Sequence, residues 1–232
     1  VTNFIKPSFF VCFVCSLIHF CGVVFADYDI VLTGVHQFQD TVSYSNKIIH
    51  IVEGAFVEYE NLSLDNCIVD VDGFVKINSV LDLDDSLRYV YGDFKVEPGV
   101  SIYETGASSI VAKGDAVRSG QITIKGGIYN PITVESDYSQ TEFFVIEEES
   151  SANSILQCID FFGGWCNIQL YNKRLNEAIR NCRFIESDYG VYQYGYDKIT
   201  DVRFCFFYGI SFRFMPKSME LIRKRSHSSL TT

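Results

Sequence analysis

The sequence predicts an all-β fold in which the chain winds in coils of short strands. Composition is the first reason: the 232 residues are 47% hydrophobic and 15% aromatic, rich in Val, Ile, Tyr, Phe and Thr, with only 4 Pro, which is what strands use. Alternation is the second, because many short runs place apolar residues at every other position and close on a Gly. The third is a repeat. Cys158, Cys182 and Cys205 lie 24 and 23 residues apart in similar phrases, Leu156-Gln157-Cys158-Ile159, Asn181-Cys182-Arg183-Phe184 and Phe204-Cys205-Phe206-Phe207. A period in the twenties is the mark of a solenoid, and the three cysteines are expected to stack as a structural ladder of buried hydrophobes.

Residues 1–26 stand apart. Lys6 is their only charge, and Ser8 to Ala26 is uncharged and mainly apolar. This reads as a signal peptide with small residues near its cut, the alternative being an uncleaved anchor close to the ~20 residues that cross a bilayer. The expected location is secreted or cell surface. Without that segment, 29 acidic residues face 18 basic ones, a formal charge of −11. Such a surface repels phosphate backbones, so nucleic acid is not an expected partner. The basic cluster Arg223-Lys224-Arg225 falls in a polar tail, residues 215–232. Cys67, Cys158, Cys166, Cys182 and Cys205 remain after export, an odd number that cannot all pair, and no Cys-x-x-Cys favours zinc.

The body, residues 27–214, reads as coils. Ile51 to Val57 echoes Val96 to Ile102 at a separation of 45, about two coils. Alternating strands are expected over Ile68–Ile77, Ser109–Val117 and Gln121–Gly127. Residues 137–153, with Glu147-Glu148-Glu149, interrupt the pattern and are expected to project as a loop.

Val96 to Ser136, with Glu97-Pro98-Gly99, Ile110-Val111-Ala112-Lys113-Gly114-Asp115 and Asn130-Pro131-Ile132-Thr133-Val134, resembles the first coils of secreted right-handed parallel β-helix proteins of the pectin-lyase-like fold. The later phrases Asn181-Cys182-Arg183-Phe184, Tyr189-Gly190-Val191 and Tyr208-Gly209-Ile210 are similar to that family's repeat. The resemblance covers roughly residues 48–214 and implies a right-handed parallel β-helix of about 7–9 coils. It implies no single task, because the fold hosts lyases, hydrolases, adhesins and fibre proteins.

Candidate chemistry is sparse. Asp70, Asp72, Asp82 and Asp84 are weak candidates for Ca²⁺, a hard ion wanting six to eight oxygens, and the bland alternative is a row of solvated acids. The paired Asp, His-Gly and Arg-x-Lys of hydrolases of this fold are missing; His36, His50 and His227 neither flank an Asp pair nor precede a Gly. Arg180, Arg183 and Arg203 are the cations a lyase could use, and read equally as outward neighbours of the cysteines. Tyr192, Tyr194 and Tyr196 share one parity in an aromatic region with Trp165 and Tyr189, and exposed aromatic rows stack on sugar rings. The expected function is an exported, non-catalytic module that binds polysaccharide or other surface chains, or associates end to end. The alternative is a polysaccharide lyase or glycoside hydrolase.

Overall fold

The computed structural model describes residues 28–137, 142–195, 200–210 and, for the backbone alone, 212–216. It is a parallel β-solenoid of about 8 turns, all-β with no helix among the described residues. The expected signal peptide, Tyr196 and residues 217–232 of the polar tail lie outside those residues, while the first two residues of that tail, Met215 and Pro216, instead end the last sheet A strand.

Two sheets form the walls. Sheet A stacks nine parallel strands: Ile30–Leu32, Ile48–Ile51, Ile68–Val71, Leu87–Val90, Ser109–Ala112, Glu142–Ile146, Cys166–Tyr171, Tyr189–Tyr194 and Phe212–Pro216. Sheet B opens with three long strands, Val35–Ser45, Phe56–Asp65 and Phe74–Asp84. From there each coil crosses it in two shorter arms, first Asp93–Val96 and Ser101–Thr105, finally Val202–Arg203 and Phe206–Tyr208. The split begins at Glu97-Pro98-Gly99-Val100, where Pro98 cannot donate to the ladder and Gly99 takes a φ of 85°.

Register defines the repeat. Ile49, Val69, Arg88, Ile110, Phe144, Ile168 and Val191 form one inward column, so successive coils take 20, 19, 22, 34, 24 and 23 residues. The spacing of the cysteines therefore measures the later coils alone. In the 34-residue coil, extra residues make turns closed by the bridges Gly114–Ser119 and Gly127–Asn130. Residues 137–153 are not one projecting loop: Glu142–Ile146 within them is a sheet A strand whose Phe144 and Ile146 are fully buried. Nor is the echo at 45 residues a structural equivalence. Gly54 turns the chain from sheet A into sheet B, whereas Gly99 sits between the arms of sheet B.

Corners recur in columns, because a coil can stack only if each turn repeats the conformation below it. Asn46, Asn66 and Asp85 adopt φ between 44° and 53°, the left-handed region that short polar side chains tolerate, and Asn66 Nδ2 donates to Asn46 Oδ1 at 2.8 Å. Next to them, Cys67 N–H donates to Ser86 Oγ and Ser86 N–H to Ser108 Oγ, so small hydroxyls satisfy the buried backbone where the ladder is broken. Late coils replace aliphatic interiors with a ring stack: Phe161, Phe184 and Phe207 lie 5.0 and 4.9 Å apart, nearly parallel.

Candidate functional site: an aromatic cleft on sheet A

The outer face of sheet A carries the candidate site. The ends of Glu142–Ile146, Cys166–Tyr171 and Tyr189–Tyr194 stack in register, Glu142 beside Cys166 and Cys166 beside Tyr189. One column along, Gln169 pairs with Tyr192, then Tyr171 with Tyr194. Trp165, at the preceding corner, meets Tyr189 edge to face at 5.4 Å, and Tyr189 meets Tyr192 edge to face at 5.6 Å. Glu142, Trp165, Cys166, Gln169, Tyr189 and Tyr192 enclose a cleft of about 180 Å³. That is smaller than the roughly 300–1,000 Å³ of pockets that swallow a whole drug-sized ligand. Its volume is that of a small ring rather than of a whole drug-sized molecule.

Cys166 is buried, its Sγ directed at Ile168 O, and burial, reinforced by the Glu142 carboxylate, pushes its thiol well above the ordinary range. A thiol held protonated is a poor nucleophile. The Tyr171 hydroxyl is raised in the same way, first by burial and then by Glu142. Among the described residues Glu142 is the one carboxylate lining the cleft. Rings offer apolar faces, and the Glu142 carboxylate and Gln169 amide offer acceptors and a donor, which together suit a polar molecule with an apolar face.

Sequence reasoning reached part of this set. Tyr192 lines the cleft, Tyr194 stands beside it at 6.1 Å from Tyr171, and Tyr196 is outside the described residues. Trp165 and Tyr189 were in view as aromatic candidates. Glu142, Cys166 and Gln169 are not legible as site residues, because the loop expected over residues 137–153 hides the strand whose register sets Glu142 beside Cys166. The signal available was the apolar run Phe143-Phe144-Val145-Ile146.

The acidic candidates do not converge. Asp70 and Asp72 belong to a sheet A coil, Asp82 and Asp84 to the far arm of sheet B. Asp70 accepts from Tyr28 Oη at 2.8 Å. Asp72 accepts from Arg118 Nη1 at 2.7 Å and is hydrogen-bonded to His50 Nε2 at 2.9 Å. Arg118 also grips Asp115 in its own turn and lies 4.0 Å over the Tyr91 ring. It is a strap across three coils, made with ligands that a metal would need. Asp82 has a long contact of 3.4 Å with Ser63 Oγ, and Asp84 lies next to Asp65 in register. No group of three or more His, Cys, Asp or Glu suited to a metal occurs among the described residues.

The cysteine ladder is shorter than expected. Gln157 pairs with Arg180 and Arg180 with Arg203, while Asp160 pairs with Arg183 and Arg183 with Phe206, so Cys158 falls level with Asn181 and Phe204. All three take φ of 54–55° at the corner between the arms. Cys182 and Cys205 are level with Ile159, one position on, and extend the inward column Val100, Ile132, Ile159. The spacing of 24 rather than 23 was that one-residue offset. Cys182 is pushed up, first by its hydrogen bond with Cys205 and then by burial, while Cys205 is pulled down by the same bond. All five described cysteines are free thiols. Arg183 is held by Asp160 and Arg203 by Asp201, so these cations are spent on local pairs away from the cleft.

No family model matches the chain, and no curated protein or solved structure is significantly similar to it.

Proposed function

We propose that the protein is an exported β-helix module of the pectin-lyase-like kind that binds polysaccharide or other surface chains without catalysis, through the cleft on sheet A. The observation that carries this reading is the Trp165–Tyr189–Tyr192 edge-to-face arrangement closed by Glu142 and Gln169. Sugar rings present apolar C–H faces and polar rims, which such a surface matches. Support for the non-catalytic half comes from the lining: inverting hydrolysis uses two carboxyls ~6.5–9.5 Å apart, and Glu142 is alone there among the described residues. Calcium has no part in the proposal. The test is a polysaccharide panel scored for binding and for unsaturated or reducing-end product, with Trp165→Ala and Tyr192→Ala alongside. A binder should lose about tenfold in affinity with either variant at unchanged thermal midpoint, as stacking contacts of ~1.4 kcal/mol would give. Release of product would refute the non-catalytic assignment.

One observation favours a second reading, association with another chain. On the last described rung of sheet B, Phe204, Phe206 and Tyr208 are 85%, 54% and 61% exposed. Rings grouped in this way mark contact surfaces more often than idle ones. Sedimentation of the protein against Phe206→Ser distinguishes the two, since a self-associating chain becomes smaller in the variant while glycan affinity stays the same.

A further inference from the structure

Arg88 stands in the wrong place for an arginine. It occupies the inward column of sheet A between Val69 and Ile110, is 1% exposed, and is the largest fully buried side chain among those described. Neither Nη1 nor Nη2 has a hydrogen-bond partner. Buried charges are ordinarily paired, and a guanidinium in proteins does not escape by losing its proton. Although burial draws its pKa down to about 9, Arg88 remains a cation at neutral pH.

Among the described residues no carboxylate acts on Arg88; the groups that do are Tyr59 and Cys67. The Tyr59 hydroxyl is hydrogen-bonded with Tyr44, and burial pushes it far up, so it stays neutral. The Cys67 thiol is engaged locally, donating to Asp65 O at 3.2 Å. Phe94 offers its ring face at 5.5 Å, a partial compensation that satisfies no N–H. Beside Arg88 lies a cavity of about 10 Å³ lined by Tyr44, Tyr59, Leu62 and Leu64 among others. That is space for about one water-sized particle, too little for carboxylate, phosphate or sulfate, whereas a monatomic anion slightly larger than water needs only a small displacement of the flexible Arg88 side chain that lines it.

We infer that the interior of the early coils holds a single halide ion, chloride in ordinary salt, bound by Nη1 and Nη2 of Arg88. A water could accept both bonds but would leave the charge uncompensated in an apolar surround, whereas a monatomic anion answers the donors and the charge together. The site is independent of the cleft: it lies in other coils, on the opposite side of the sheet A backbone.

Long-wavelength anomalous diffraction from crystals grown in sodium chloride should show a chloride peak beside Arg88. Thermal unfolding at constant ionic strength should give a midpoint about 5 °C higher in chloride at a hundredfold excess over Kd than in gluconate. Arg88→Met, which keeps the bulk and removes the charge, should abolish that difference. Density of water height without anomalous signal, or equal midpoints of the wild-type protein in the two salts, would overturn the inference. The diffraction result stands alone should Arg88→Met fail to fold.

Discussion

The early and late coils of this solenoid solve the same problem with different numbers of residues. Coils built on Ile49 and Val69 take 20 and 19 residues, whereas those built on Phe144 and Ile168 take 24 and 23. The early ones cross sheet B in one long strand and close with an Asn or Asp in the left-handed region. The late ones break that strand into two arms, with left-handed residues at both ends of the second arm: Cys158 and Gly163, Asn181 and Glu186, Phe204 and Gly209. About four residues per turn are the requirement for an extra corner. A wider coil in turn needs larger contents, and Phe161, Phe184 and Phe207 supply them where Leu62 and Leu81 suffice early on.

The sharpest way to break this contrast is to empty the late interior. Phe184→Ala should destabilise by about 4 kcal/mol, since the rings above and below cannot close the void. In a stacked array each coil leans on its neighbours. Hydrogen exchange should therefore accelerate over residues 155–208 first, and remain slow over residues 48–96. If protection falls equally in both regions, the two halves form a single cooperative unit.

The early corners should break differently, through backbone rather than volume. A Cβ on Gly92 would lie 2.1 Å from the Gly73 carbonyl oxygen, an atom of the coil below that cannot move without unstacking it. Gly92→Ala is expected to cost about 3 kcal/mol in urea unfolding. Gly54→Ala meets nothing within 4 Å and loses only its φ of 79°, which costs about 1 kcal/mol. Comparable losses at the two positions would mean that the early stack tolerates displacement.

A smaller effect separates the two regions by pH. Glu58, on an early sheet B strand, is held down at about 2, first by Lys76 and then by Asn78. Its unfolded value is near 4.5. A depressed carboxylate favours the folded state above the unfolded pKa, and that advantage drains away as pH falls from about 5 to 2. Glu58→Gln should flatten the acid limb of the stability curve in that window without changing glycan affinity. The mildest probe is chemical. Iodoacetamide should modify Cys205 first among the five described thiols, as its pKa is lowered by Cys182 and it is the least buried, with little change in stability. Equal labelling of Cys158 would show the late corner to be open.

Much of the fold was legible in the sequence because strand alternation and corner residues are local signals. Ile68-Val69-Asp70-Val71 announces its inward and outward faces without reference to any other coil. Coil length is not local, which explains why a period taken from Cys158, Cys182 and Cys205 fitted the late coils and missed the early ones by three or four residues. The same one-residue ambiguity put Cys158 in the wrong column. Site residues were legible only as types. Tyr192 and Trp165 could be named as ring-bearing candidates, but their meeting with Glu142 depends on a register set by the 34-residue coil, and nothing near Glu142 encodes it. Arg88 is not legible for the opposite reason: its inward place in Leu87–Val90 is set by the register with Val69 and Ile110, whereas an arginine is ordinarily a surface residue.

The strap formed by Arg118 has a mechanical consequence. A solenoid tied only between adjacent rungs peels under tension like a zip, one rung per step. Arg118 leans on Tyr91 from one coil and holds Asp72 of another, which in turn is bonded to His50 of the coil before. Pulled from its amino-terminal side, the molecule should resist until that clamp lets go and then yield several rungs at once, so the force trace would carry one tall event where a plain stack would give a staircase.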